Sequence, residues 1–173
     1  MPQQMVLFFT SIAFSLIVWS VITARYIWPE LRARAPQEAL RPILLLHSFR
    51  FIGLAFMVPG VVAADLPSAF AHGAAYGDVI AAALALVALL LLPSSAGFAA
   101  AWIFSIVGTA DLLNAFFQAN RGGLLAGQLG AAYFLPTVIV PLLLITHVVG
   151  FRILVRQLRE SSVQERTARV DVG

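Results

Sequence analysis

The sequence predicts an all-α, polytopic integral membrane protein: one membrane domain over residues 1–173, folded as a five-transmembrane-helix bundle, N-terminus outside and C-terminus cytoplasmic. Three observations predict it. Five apolar stretches recur along the chain, each close to the ~20 residues that a helix rising about 1.5 Å per residue needs to cross a hydrocarbon core roughly 30 Å thick. Hydrophobic residues make up 61% of the chain and charged residues 11%, with a mean hydropathy of +0.93, outside the range of soluble domains. Arginines collect beside the ends of these stretches in an alternating pattern that has only one good fit to a membrane.

The first helix is predicted over residues 5–27. Its first positive charge, Arg25, follows the apolar run instead of preceding it, the reverse of a secretory signal, so the segment reads as a retained helix. Trp28 and Pro29 supply an interfacial aromatic and a helix stop. A charged loop with Glu30, Arg32, Arg34, Glu38 and Arg41 follows. Pro42 then opens the second helix, residues 42–64, as a first-turn proline. Near its end Pro59 removes the donor for the Ala55 carbonyl, which predicts a kink. The connection over 65–72 holds Asp65, Ser68 and His72, with Phe70 able to lie in the interface.

The third helix, residues 74–92, is rich in Ala and Leu and closed by Pro93, Ser94, Ser95 and Gly97. The fourth, residues 98–118, ends at Asn120, Arg121, Gly122 and Gly123. The fifth, residues 131–155, is interrupted by Pro136 and Pro141, and the polar cytoplasmic tail, 156–173, frays or forms a surface helix. In this topology Arg25, Arg32, Arg34, Arg41, Arg152, Arg156, Arg159, Arg166 and Arg169 share one side and only Arg121 the other. Four crossings would split the two basic clusters. Composition and length resemble the small multi-pass proteins of bacterial inner membranes, which is the expected location.

The same inventory excludes several activities. The basic residues lie along membrane edges, so no nucleic-acid partner is expected. All eleven are Arg, which removes a Schiff-base lysine, and the absence of Cys removes disulfides, thiolate metal sites and cysteine nucleophiles. There is no P-loop, HExxH or GxSxG; His, Asp and Ser48 alone are a poor basis for a hydrolase. No catalytic residue is named, and a non-enzymatic protein is expected.

Helices in lipid associate where small residues let backbones approach. Gly73, Gly77, Ala81 and Ala85 form such a stripe, a packing surface for a helix of the same chain, a second copy in a homo-oligomer, or a membrane-complex partner. Gly123 and Gly127 repeat the spacing outside any crossing and carry no weight.

The polar residues inside the membrane are few. His47 and Arg50 share a face of the second helix. An Arg at a helix centre costs about 2.5–3.5 kcal/mol on insertion scales, and at ~12 Å from the inner end Arg50 needs a partner. Gly108, Asp111, Asn114 and Gln118 make a polar stripe on the fourth helix, and Asp111 is the expected ion-pair partner. His147, beside Thr146, lies level with His47, at ~12 and ~8 Å from the inner surface. His47, Arg50, Asp111, Asn114 and His147 are therefore the predicted buried polar centre. Asp78, one turn into the third helix, and Tyr133, with Thr137, are placed toward the outer side. Pro136 and Pro141 free the Ala132 and Thr137 carbonyls for a proton donor or cation. Asp65, His72 and Asp78 lack metal-ligand spacing.

Such a centre has three uses. It can be hydrogen-bonding glue in a structural subunit, or a pathway or binding site for a proton, ion or small molecule. It can also be a pair of axial ligands, His47 and His147, for a b-type haem in a membrane electron carrier, since matched depth on two helices is what that ligation requires. The second is the expectation, with no cofactor; haem b and the structural subunit are its alternatives.

Overall fold

A computed structural model describes residues 3–121 and 126–170, without the side chains of 164–170. Among the described residues there are helices and turns and no strands. Five helices are long and apolar enough to cross a membrane: α1 Gln3–Arg32, α2 Pro36–Met57, α3 Ser68–Leu91, α4 Ser95–Arg121 and α5 Leu135–Val163. The expected Gly122 and Gly123 helix stop, and Gly123 of the glycine repeat, lie outside the described residues.

Prolines act differently from expectation in α1 and α5. Pro29 does not stop α1. The turn before it, Thr23–Ile27, widens to a π-helix, and Trp28 N–H reaches back five residues to the Thr23 carbonyl. The same device precedes Pro141, where Leu135–Ile139 is π-helical and Val140 N–H donates to Leu135 O. A proline ring clashes with the carbonyl four residues back, and one wide turn relieves the clash while the helix continues. α5 then runs on as an unbroken helix to Val170, so the polar segment after 155 extends the helix instead of leaving it.

α2 begins at Pro36, not at Pro42, and ends at Met57, not at Ala64. Pro59 ends the helix instead of kinking it: a residue before proline is pushed out of the helical region, and Val58 (φ −90°, ψ 116°) initiates the turn. The second half of α2, Phe49–Met57, is a 3-10 helix. Three residues per turn place Arg50, Gly53 and Phe56 in one straight row, and these are the three residues of that segment that are buried. The 58–67 turn is tied to the Ala126–Tyr133 segment by Ala63 N–H to Gln128 O (3.0 Å) and Ala131 N–H to Val61 O (2.8 Å). Gly130 (φ +52°) permits the close approach behind the second bond, since a Cβ there would run into the Val61 carbonyl.

α3 and α4 pack as a close antiparallel pair, with the 3-10 half of α2 laid along α3 and α5 against α2 and α4. The small-residue stripe explains the closeness: Ala81, Ala85 and Ala88 are fully buried. Gly73 of that stripe faces open space. Two apolar clusters result. Leu40, Leu44, Phe104, Ile153 and Leu154 pack toward the arginine-rich end; Phe56, Phe70, Ala74, Leu129 and Ala132 pack toward the far end.

α1 stands outside this core. No residue of Gln3–Ile22 is buried, and it is held to α5 by Trp19 Nε1–H to Val138 O (3.1 Å) and to the Ala126–Tyr133 segment by the Ser11 and Tyr133 hydroxyls (3.1 Å). At its C-terminus Arg156 of α5 donates to the carbonyls of Arg32 (2.7 Å) and Arg34 (2.6 Å). These are orphan acceptors of a helix end, satisfied here from another helix. Arg156→Met is expected to cost about 1 kcal/mol, read as a lower melting temperature by tryptophan fluorescence. An unchanged melt would show that the cap contributes nothing.

Candidate functional site

The two apolar clusters leave a polar layer between them, and Arg50 is its centre. Its side chain has no exposure. Nε donates to Asp78 Oδ1 on α3 (2.7 Å), Nη2 to Asp111 Oδ2 on α4 (2.6 Å), and Nη1 to the Gly108 carbonyl (3.1 Å). Such short charge-assisted bonds are the strong class. One buried cation thus holds two carboxylates, with a formal sum of one negative charge.

Glycines make room for this arrangement. A Cβ at Gly53 would overlap the Asp78 carboxylate, and one at Gly77 the Asp111 carboxylate. A Cβ at Gly108 would stand 2.9 Å from His147 Nε2 and 3.0 Å from Arg50 Nη1. Each of α2, α3 and α4 gives up a side chain where the charged group of its neighbour sits.

On the other side of Gly108 lie the histidines. His47 and His147 are buried, with ring centroids 4.3 Å apart, and Phe104 lies 5.0 Å from each. The Thr146 hydroxyl reaches Leu142 O (2.9 Å) and Leu143 O (3.1 Å). Having a single hydrogen to donate there, it accepts from His47 Nε2–H at 2.9 Å. His47 Nδ1 and both ring nitrogens of His147 have no protein partner. The layer is therefore continuous: two carboxylates, a guanidinium, two imidazoles and a hydroxyl.

Two expected positions change. Asp78 lies on Arg50, not near the outer surface, because α3 starts at Ser68 and not Ala74, which sinks Asp78 three turns into the span. Asn114 is exposed and outside the layer. Each three-residue step lags a full turn by about 60°, so Asn114 has rotated about 120° off the buried face that holds Gly108. Asp111, one step away, sits at that face's edge. Tyr133 sits at the contact of α1 with the Ala126–Tyr133 segment, and Thr137 donates to its carbonyl (2.7 Å). Ser48 donates to its own helix at Leu44 O.

A cavity of about 100 Å³ lies between α1 and α4 toward the far end, with Asp78 and Asp111 among its lining residues. Its other walls are mainly apolar, with Phe8, Phe56, Phe70 and Phe116 among them. The carboxylates keep 17% and 14% side-chain exposure. Toward the arginine-rich end the layer meets the packed Leu40, Leu44, Ile153 and Leu154.

Residues 7–155 match the model of a family described as a domain of unknown function, DUF8737. The chain belongs to this family. The match takes in every member of the polar layer and stops before the polar extension of α5. No curated protein and no solved structure matches the chain.

Among the described residues no three His, Asp or Glu side chains converge as a metal ion needs. The two imidazoles touch each other and Phe104, so an iron porphyrin between them would require all three rings to part. The chemistry the geometry does offer is ionic: a charge centre short of one positive charge, beside a cavity.

Proposed function

We propose that this protein binds a proton or small cation at the Arg50, Asp78 and Asp111 centre, as a binding or translocating membrane protein and not a catalyst. One observation supports it above the rest: a guanidinium with no exposure is shared by two carboxylates that both face a cavity. A net negative charge inside a low-dielectric bundle is costly, and one proton or monovalent cation brings the sum to zero. A purely structural pair needs one carboxylate and no cavity.

Orientation follows from charge. The arginines at the ends of α1 and α2 and beyond the middle of α5 lie at one end of the bundle, joined by Arg156 to Arg32 and Arg34. The positive-inside rule puts that end in the cytoplasm of a bacterial inner membrane and the N-terminus outside. The cavity then opens the carboxylates to the outer half, while the Leu40, Leu44, Ile153 and Leu154 cluster closes the inner half. Beyond Arg50 the histidines continue the layer toward the inside.

The test is proton flux into proteoliposomes, driven by a potassium diffusion potential and read by a trapped pH dye. Flux above that of protein-free vesicles is expected, with Asp111→Asn lowering it about tenfold, equivalent to 1.4 kcal/mol, while the melting temperature moves little. Wild-type flux in Asp111→Asn together with a lower melting temperature would make the centre structural.

A further inference from the structure

We infer that the cavity between α1 and α4 is a binding site for a small organic ammonium ion, its nitrogen on Asp78 and Asp111 and its apolar body among phenylalanines. This rests on the cation-binding reading above and narrows the class of cation. The floor carries the excess negative charge, and the walls include Phe8, Phe9, Phe70 and Phe116. Hard inorganic cations take six or more oxygens; this cavity supplies two carboxylates already engaged by Arg50, and no third acidic or histidine ligand converges among the described residues. Aromatic faces around a carboxylate suit an ammonium group with carbon attached, through cation–π attraction and burial of its apolar part. A volume of about 100 Å³ is well below the roughly 300–1,000 Å³ of drug-sized sites, which restricts the occupant to a small amine.

The position of α1 supplies a route. Its Gln3–Ile22 stretch has no buried residue and packs on α5 and the 126–133 segment, so the seam toward α4 is closed by side chains and not by helix packing. An amine dissolved in the membrane reaches the carboxylates through that seam, along a cavity walled by Phe56, Phe70, Ala74 and Leu129 of the far-end cluster. The carboxylates sit about 15 Å along their helices from the far end, too deep for a lipid headgroup that stays at the interface.

The test is calorimetric titration of benzylammonium chloride into the full-length protein in dodecylmaltoside, with benzyl alcohol as the uncharged probe of the same shape. Saturable binding of one benzylammonium per chain is expected, about tenfold or more tighter than benzyl alcohol. Asp111→Asn and the cavity-filling Ala115→Phe are each expected to weaken it about tenfold. Equal affinity for the two probes, or benzylammonium binding untouched by Asp111→Asn, overturns the inference. If Ala115→Phe fails to fold, the two probes on the unaltered chain decide the matter. Proton flux without benzylammonium binding overturns this inference alone, and benzylammonium binding without flux overturns translocation alone.

Discussion

Arg50→Met is expected to destabilise the folded protein by about 3–5 kcal/mol, the cost of removing one partner from a buried ion pair and leaving the other stranded. Here two carboxylates are stranded at once. Asp78 and Asp111 lose their only cationic partner among the described residues, and the Gly108 carbonyl loses its donor. The gap left at Gly53 and Gly77 gives them nothing to turn to, because both oxygens lie over bare Cα positions. The loss is read from the thermal unfolding of Trp19, Trp28 and Trp102 in detergent. The triple variant Arg50→Met, Asp78→Asn, Asp111→Asn is expected to recover most of the stability, since replacing a whole buried ionic group is far cheaper than halving it. A single Arg50→Met that melts like the unaltered chain would remove the guanidinium from the centre of the fold.

Gly77→Ala and Gly73→Ala are expected to move stability in opposite directions, although the two glycines are one turn apart on the same helix. At an open helical site Ala is better than Gly by about 0.8–1 kcal/mol, and Gly73 has nothing within 4 Å of an added Cβ. At Gly77 the added Cβ meets the Asp111 carboxylate, which cannot swing away without leaving Arg50. Overpacking of this kind costs about 1–3 kcal/mol, and the broken charge-assisted bond adds to it. Gly73→Ala should therefore raise the melting temperature and Gly77→Ala lower it. Equal shifts would show that Asp111 moves freely and that the glycine niche is incidental.

Much of this was legible in the sequence. Apolar runs of crossing length mark where the helices lie, because lipid admits no other regular backbone for a single chain of this composition. The need of Arg50 for a carboxylate was also legible, since a lone guanidinium at that depth has no cheaper resolution. The boundaries were less so. Pro29 read as a stop, Pro42 as a start and Pro141 as an interruption, yet all three lie within continuing helix, two of them eased by a π turn. Asp78 was misplaced for the same reason: Pro67 and Ser68 looked like loop, and starting α3 there moves Asp78 from the first turn of the helix toward its middle. Asn114 was misassigned through a spacing that holds for one step and drifts by the second.

By itself the sequence determined how many helices there are and which few polar side chains they carry, because hydrophobicity and charge act locally and leave their record in every window of residues. Only the tertiary structure decided that Arg50 serves two carboxylates, that three glycines on three helices clear the space for them, and that a cavity meets them from one end. These depend on helix rotation and close approach between segments distant in the chain, which are set by packing and not by the composition of any one segment.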